Sequence, residues 1–163
     1  MAFLPYLESD GRFHNGALTS LALHGENSLC LSGSEDDKVA VYHLQQGRLI
    51  SVMHHHTGAV EALGYSPAHP FAASGGMDGL VVIYEMPSMQ VRHQLKHDDA
   101  VIRVMWHPTM PLIVTASTDK KVRVWDARNG ACTRTFQGHT DTILDAVLSK
   151  YVEENMGENN GIV

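Results

Sequence analysis

The chain has few of the residues that mark several common protein classes. Its 163 residues include two cysteines, Cys30 and Cys132, far apart in apolar runs. Such spacing is neither a disulfide framework nor a paired-cysteine metal site. No apolar run approaches the roughly 18 residues that span a bilayer, and the start, MAFLPYLESD, lacks the basic region of a secretory signal. These absences predict a soluble intracellular protein with no membrane insertion.

Clustered basic residues are also missing. Twelve Lys and Arg stand against 18 Asp and Glu, which gives a formal net charge of −6. Proteins that bind nucleic acid neutralise phosphates with clustered Lys and Arg. The charge balance therefore argues against a nucleic-acid partner.

What the chain does contain is a repeat. Three segments align, namely SGSEDDKVAVYHLQQG (32–47), SGGMDGLVVIYEMPSM (74–89) and TASTDKKVRVWDARNG (115–130), with spacings of 42 and 41 residues. A fixed period of this length indicates a repeat architecture.

Four positions keep the register of this repeat. In each copy a His is followed by a hydroxyl residue after 18 positions, an Asp after 22 and an aromatic residue after 28. The three sets are His14, Ser32, Asp36 and Tyr42; His56, Ser74, Asp78 and Tyr84; and His97, Thr115, Asp119 and Trp125. A fourth His, His139, lies 42 residues after His97.

A hydroxyl, a His and an Asp are also the parts of a hydrolytic triad. An enzyme needs one triad, whereas here the same groups recur at a fixed period. We therefore expect them to stabilise each repeat, and predict no catalytic residue, cofactor or metal site. The HHH at 54–56 does not change this, because adjacent side chains of a strand or turn point apart and rarely share one ion.

The hydrophobic pattern is typical of short strands with turns every 8–12 residues, which predicts an all-β fold. The expected strands lie at 17–23, 28–34, 38–43 and 48–53 in the first repeat, at 59–65, 70–75, 80–85 and 90–95 in the second, and at 100–106, 111–116, 121–126 and 131–136 in the third. An Asp in the turn between the second and third strands would cap local N–H groups.

RVWDARNG and GHTDTIL, with the period of about 41 residues, resemble WD-repeat β-propellers, whose blades are four-stranded sheets. The resemblance implies that each His, hydroxyl, Asp and aromatic set forms a buried hydrogen-bonded network within one blade. The Asp would accept from the turn and the His, the His would bridge to the hydroxyl, and the hydroxyl would contact the aromatic donor. Two sets carry Tyr where the family has Trp. In these sets the donor to the hydroxyl would be a phenol O–H, which lies at a different position from the indole N–H.

On this basis the chain divides into a lead-in (1–13), three blades (14–54, 55–96 and 97–137), the first strand of a fourth blade (138–150) and a disordered acidic tail (151–163). Positions 18 and 22 after His139 hold Gly157 and Gly161, so the fourth unit lacks its hydroxyl and its Asp. Propellers have 4–8 blades, so we expect an incomplete propeller of the seven-bladed type. A fragment or truncated gene product, self-association into a fuller ring, and an open three-blade sector are the explanations left open.

GALTSLAL, MDGLVVIYEM, VRHQLKHDDAVIRVMWHP and GHTDTILDAVLSK further resemble the C-terminal half of the angio-associated migratory cell protein family. That resemblance implies a non-catalytic scaffold for protein–protein interaction in the cytoplasm, with the nucleus as a second compartment. Its specific role would be that of an escort for a new ribosomal protein or of a signalling adaptor in cell migration.

In related propellers the loops around the channel mouth bind partners. By position this face would include Glu35, Glu61, Met77, Ile102 and Thr118, alongside Ala17, Thr19, Ala59, Ala100, Thr142 and Leu144. The two glutamates would favour a basic protein partner, and Met77 and Ile102 would be apolar anchors.

WDAR (125–128) supports an alternative function. In some WD-repeat proteins a WDxR sequence contacts the adaptor of a cullin ubiquitin ligase, and Asp126 and Arg128 match that pattern. The chain would then be a substrate receptor, whereas the simpler interpretation is a surface ion pair that contributes little.

Overall fold

Each repeat forms one antiparallel four-stranded sheet in the computed structural model, which describes residues 13–24 and 28–149. The first sheet contains β1 (Leu18–His24), β2 (Leu29–Ser34), β3 (Val39–His43) and β4 (Arg48–Met53). The second contains β5 (Val60–Tyr65), β6 (Phe71–Gly76), β7 (Leu80–Glu85) and β8 (Gln90–Lys96). The third contains β9 (Val101–Trp106), β10 (Leu112–Ser117), β11 (Lys121–Asp126) and β12 (Ala131–Gln137).

The strands pair in chain order within every sheet, so each repeat is a meander of three hairpins. All twelve strands predicted for the three repeats are present, and their bounds agree with the prediction to within one residue. The all-β fold of three four-stranded blades is therefore confirmed. No helix long and apolar enough to cross a membrane occurs in the described part of the chain.

An Asp organises the same hairpin in all three sheets. Oδ1 of Asp36, Asp78 and Asp119 accepts a hydrogen bond from the backbone N–H two residues later, at 3.2, 3.0 and 3.0 Å. The residue that follows each Asp adopts a left-handed backbone conformation, with φ of 66° at Asp37, 77° at Gly79 and 67° at Lys120. Gly79 occupies this position in the second sheet, where a Cβ would lie 3.0 Å from the carbonyl oxygen of His97.

The core lies between sheets rather than within one. Apolar residues of the first and second sheets form one buried cluster, and those of the second and third sheets form another. Side chains alternate along each strand, so Tyr84 packs toward the first sheet and its neighbour Ile83 toward the third. Each sheet is therefore stabilised by its neighbours, as in a radial array of blades.

The start of a fourth blade at 138–150 stays a prediction. Residues 138–149 contain no strand, although Ile143 is only 7% exposed. A strand requires a hydrogen-bonded neighbour, and no described residue supplies one. Most of the predicted lead-in and the whole predicted tail lie outside the described residues.

Candidate functional site

The third sheet holds its recurring polar groups in one continuous network. Nδ1 of His97 lies 3.1 Å from Oδ2 of Asp119, and Nε2 lies 2.7 Å from Oγ1 of Thr115. Nε1 of Trp125 donates to the same hydroxyl at 2.9 Å. The loop before β9, the strand β10, the hairpin turn and the strand β11 thus each contribute one group.

The second sheet repeats this arrangement with a phenol in place of the indole. Nδ1 of His56 lies 3.0 Å from Asp78, and Nε2 lies 2.7 Å from Oγ of Ser74. That Oγ is 3.1 Å from the hydroxyl of Tyr84. Burial raises the pKa of Tyr84 to about 12, so the phenol keeps its proton.

The first sheet forms only part of the network. His14 contacts Asp36 at 3.0 Å and Ser32 at 2.8 Å. No hydrogen bond joins Ser32 to Tyr42; the Tyr42 ring instead packs edge-on against Phe13, with 5.8 Å between ring centroids. This side of the sheet has no neighbouring sheet among the described residues, and Tyr42 is half-buried where Tyr84 is fully buried.

The direction of the hydrogen bonds follows from the groups involved. A carboxylate facing Nδ1 favours the proton on that nitrogen, so Nε2 accepts from the hydroxyl. Burial opposes ionisation of Asp36, but its bonds from the Asn15 amide and from His14 lower its pKa to about 2. Equivalent amide and imidazole contacts outweigh burial and lower the pKa of Asp78 and Asp119. Burial, assisted by the charge of Arg123, lowers the pKa of His97 and favours neutral imidazole.

These networks are placed for stability rather than for catalysis. Ser74 and Thr115 are fully buried, so no substrate can approach their oxygens. Their hydroxyls already donate to His and accept from an aromatic side chain in the second and third sheets. A fully satisfied polar network of this kind makes a fold rigid.

The structure places three predicted mouth residues at equivalent points. The backbone N–H groups of Glu35, Met77 and Thr118 donate to the carbonyl oxygens just before the innermost strands, at 3.0, 2.8 and 2.9 Å. The acceptors are Ala17, Ala59 and Ala100. Glu35 and Met77 are exposed, Met77 by 54%, and Thr118 is half-buried with its hydroxyl 3.3 Å from the Ala100 oxygen. One backbone geometry therefore presents an acid, a thioether and a hydroxyl side by side.

The second set of mouth residues lies at a bulge in the innermost strands. The register of β1 and β5 shifts around Thr19 and Glu61, and that of β9 around Ile102. The Thr19 hydroxyl donates to the Val60 carbonyl of the next sheet, while Glu61 and Ile102 are half-buried. Thr142 and Leu144, from the predicted fourth unit, are exposed.

Asp126 and Arg128 form an ion pair within the β11–β12 turn. Their side chains meet at 2.6 and 3.0 Å, and the Arg128 guanidinium lowers the pKa of Asp126 to about 2. The Arg128 carbonyl oxygen also accepts from Arg92 and lies 3.1 Å from Nε2 of His93 on β8. The turn that carries this ion pair therefore also joins the third sheet to the second.

The HHH segment does not converge on one point. His56 belongs to the second network, His55 packs near the Tyr84 ring with centroids 5.9 Å apart, and His54 is exposed. Among residues 13–24 and 28–149, no three His, Cys, Asp or Glu side chains form a cluster that could hold a metal ion.

Two basic side chains that the repeat pattern did not predict extend the third network. Arg123 donates to Asp119 at 2.8 Å and to Asp98 at 3.1 Å, and Lys121 also contacts Asp98 at 2.7 Å. The equivalent positions in the other sheets hold Ala40 and Val82, which face Ser32 and Ser74 across the hairpin as Arg123 faces Thr115. The single Arg at an otherwise apolar repeat position was the available signal.

Comparison with known proteins agrees with this architecture. The family model described as WD domain, G-beta repeat matches residues 10–43, 47–85 and 89–126. The angio-associated migratory cell protein of Homo sapiens is 34% identical over 152 residues, which cover 84% of this chain and 35% of the relative. Nuclear distribution protein nudF 1 of Talaromyces marneffei is 30% identical over 140 residues, covering 83% and 30%.

A solved structure shows the same fold at lower identity. The crystal structure of RRP9 WD40 repeats superposes with a TM-score of 0.75 at 24% identity, over 79% of this chain and 41% of the other. The chain spans about a third of the length of the curated relatives it matches. WD-repeat proteins are generally scaffolds for protein interaction. With three matched repeats and three blade-like sheets, the chain belongs to the WD-repeat family.

Proposed function

We propose that this chain is a non-catalytic scaffold that binds a protein partner at the channel-mouth face. The observation that carries this proposal is a contrast between repeat positions. The His, hydroxyl and Asp groups recur in every repeat and are hydrogen-bonded to one another. By contrast, Glu35, Met77 and Thr118 share one backbone geometry but differ in side chain. Positions that the fold leaves free to differ are suited to recognition.

We further propose that the partner is basic. Glu35 is exposed and Glu61 half-buried on this face, and neither forms an ion pair with a described residue. Unpaired carboxylates on a face attract a positively charged partner and increase its association rate. An escort role for a ribosomal protein fits this chemistry and would place the chain in both the cytoplasm and the nucleus; a signalling adaptor is the other scaffold role.

A charge reversal tests the choice of face. The partner that co-purifies with the full chain should bind at least tenfold more weakly to Glu35→Lys combined with Glu61→Lys, and its affinity for the unaltered chain should fall with added salt. Glu85→Lys is the control, because Glu85 is an exposed acid at the end of β7, at the other end of the strands, where its ion pair with Arg92 spans 3.6 Å. Equal binding by the double variant and the unaltered chain would exclude this face.

The ubiquitin-ligase alternative depends on a free Arg128. Its side chain is 66% exposed, but its guanidinium is held by Asp126 at 2.6 Å. This geometry favours a role in the turn. Retained binding of the ligase adaptor by Arg128→Ala, or no binding by the unaltered chain, would end the alternative.

A further inference from the structure

The loops that follow the innermost strands of the second and third sheets share one pattern. SPAHPF (66–71) follows β5 and HPTMPL (107–112) follows β9, each with prolines at its second and fifth positions. In both loops the first residue donates its backbone N–H to the carbonyl oxygen five residues later, at 2.9 Å. The carbonyl oxygen of the second proline accepts from the residue just after the third strand of the sheet, at 2.8 Å in both. The two loops therefore have the same backbone frame and differ in their side chains.

The first side chain of each loop accepts hydrogen bonds from the loop itself. Oγ of Ser66 accepts from the His69 N–H at 3.2 Å. At the same position in the third sheet, Nδ1 of His107 accepts from the N–H groups of Thr109 at 3.2 Å and Met110 at 3.0 Å. Because both partners are backbone donors, Nδ1 must supply a lone pair, so the ring is neutral with its proton on Nε2. The second sheet thus closes its loop on a hydroxyl that does not titrate, and the third sheet on an imidazole that does.

The closed loop of the third sheet also contacts the second sheet. The carbonyl oxygen of Thr109 lies 3.1 Å from Nε2 of His69, and since a carbonyl only accepts, the His69 ring is the donor. The same Thr109 donates its N–H to His107 on the other side of its peptide. The hydrogen bonds to Nδ1 of His107 therefore fix the position from which Thr109 contacts the neighbouring sheet.

The surroundings of the loop contain no carboxylate that would stabilise a charged His107. The titratable and charged groups on the elements bonded to this loop are His69 in the 66–70 loop, Asp126 and Arg128 in the β11–β12 turn, and Arg92 and His93, which contact that turn. Asp126 pairs with Arg128 at 2.6 Å, and Glu85 pairs with Arg92 at 3.6 Å. No described carboxylate forms an ion pair with His107 or His69.

We propose that the 107–111 loop is a pH-sensitive contact, closed by neutral His107 and opened by its protonation. A proton on Nδ1 turns the acceptor into a donor that faces two other donors, so the imidazolium cannot hold the closed loop. The loop then releases Thr109 and Met110 and withdraws the Thr109 carbonyl from His69. Histidine changes its charge between about pH 5 and 8, so closure is favoured at the upper end of this range and lost toward the lower end. This loop lies at the opposite end of the strands from the mouth face and does not depend on the proposed function.

Amide hydrogen exchange followed by NMR tests the proposal on the full chain. Protection of the Thr109 and Met110 amides, relative to their intrinsic exchange rates, should fall about tenfold from pH 7.5 to pH 5.5, the order expected when hydrogen bonds are lost. The His69 amide, which bonds to Ser66, is the internal control and should keep its protection. The imidazole nitrogen shifts of His107 should show an unprotonated Nδ1 at pH 7.5 and a protonated one at pH 5.5.

Variants separate this contact from general destabilisation at low pH. His107→Ser introduces the hydroxyl of the second sheet and should protect the Met110 amide equally at both pH values, whereas His107→Ala should leave it unprotected at both. His69→Gln removes the other titrating ring and should keep the pH dependence. Equal protection of Thr109 and Met110 at both pH values in the unaltered chain, or a parallel loss at the His69 amide, would overturn the proposal. A pH dependence that persists in His107→Ser or disappears in His69→Gln would overturn it as well.

Discussion

At the residue scale, the direction of each hydrogen bond explains why these four side chains recur. The aromatic donor, the hydroxyl and the neutral imidazole form a chain of donors and acceptors that ends at an ionised Asp. In the third sheet the chain is complete from Trp125 to Asp119. In the first sheet it stops at Ser32, because Tyr42 makes no bond to that hydroxyl.

Removing a hydroxyl should therefore cost stability in proportion to its partners. Thr115→Val leaves both the Trp125 N–H and Nε2 of His97 without a partner, so we expect a loss of about 1–3 kcal/mol in the free energy of unfolding. Ser32→Ala affects only His14 and should cost less. Urea denaturation measures both, with Thr57→Val as the control, because it changes an exposed side chain and keeps the backbone N–H that donates to Asp78. Equal losses for Thr115→Val and Thr57→Val would contradict a structural network.

The pKa of His97 predicts how stability depends on pH. Burial lowers this pKa below the ordinary value of 6.5. Below pH 6.5, His97 therefore binds a proton more readily in the unfolded chain than in the folded chain. The contribution of His97 is fully present above pH 6.5 and is lost as the pH falls below it toward the lowered pKa. The lowered pKa of Asp36, about 2, adds a second loss between about pH 4 and pH 2.

Thermal melts from pH 7.5 to pH 5 measure the first of these effects. The melting temperature should fall over this range, and His97→Gln should reduce the slope, since Gln does not titrate. His54→Gln removes an exposed His and should leave the slope unchanged. A slope identical in all three proteins would show that His97 does not control this transition.

At the element scale, the sequence predicted the strands well because local signals agree with the fold. Period-two apolar patterns, Asp turns and the repeat itself all placed the twelve strands to within one residue. The same pattern at 138–149 forms no strand among the described residues, because strand formation depends on a partner that local sequence does not reveal. Arg123 was missed for a related reason, since its bond to Asp98 joins residues 25 positions apart.

Packing between adjacent sheets depends on glycine at one repeat position. A Cβ at Gly75 would lie 2.6 Å from Cγ1 of Val101, and one at Gly33 would lie 2.8 Å from Cγ1 of Val60. Both contacts are closer than real Cβ atoms approach. The third sheet has Ala116 at this position, on the side where residues 138–149 lie.

Gly75→Ala should therefore force the second and third sheets apart and cost about 1–3 kcal/mol of unfolding free energy. A Cβ at Gly64 would lie 3.2 Å from the Trp106 ring and 3.4 Å from the Val104 carbonyl oxygen, so Gly64→Ala should cost less. Urea denaturation of the two variants measures the difference. A stable Gly75→Ala protein would indicate that the sheets pack less closely than described.

At the scale of the whole molecule, the array has an uncovered side at its first sheet. Leu18, Leu21 and Leu23 are 58–67% exposed, although they occupy the repeat positions of Val101, Val104 and Trp106, which are at most 8% exposed. An apolar surface of this kind marks an interface or promotes aggregation.

Substitutions at equivalent positions should consequently have different effects. Val104→Ser should cost about 2–4 kcal/mol, because it removes buried apolar area and buries a hydroxyl. Leu21→Ser should change stability by less than about 0.5 kcal/mol and should reduce aggregation. Thermal melts with light scattering measure both properties. A large loss for Leu21→Ser would mean that this surface is covered in solution.

The sequence predicts the buried polar sets better than it predicts the mouth face. The buried sets could be predicted because identical groups recur at a fixed period, and the structure brings all of them together except Tyr42. The mouth residues could be placed by position, but their recognition depends on a surface assembled from separate loops. Hydrophobic periodicity contains no information about which of those side chains remain exposed.

The most direct test of the central claim, that recognition lies at the mouth and the buried networks serve the fold, is a photocrosslinking comparison. A photoreactive p-benzoylphenylalanine replaces Met77 in one protein and Thr133, exposed on the outer strand β12, in another. We predict one discrete, basic crosslinked partner from position 77, none from position 133, and loss of the product when Glu35→Lys is added. Equal crosslinking from both positions, or a product at position 77 that survives Glu35→Lys, would contradict the account.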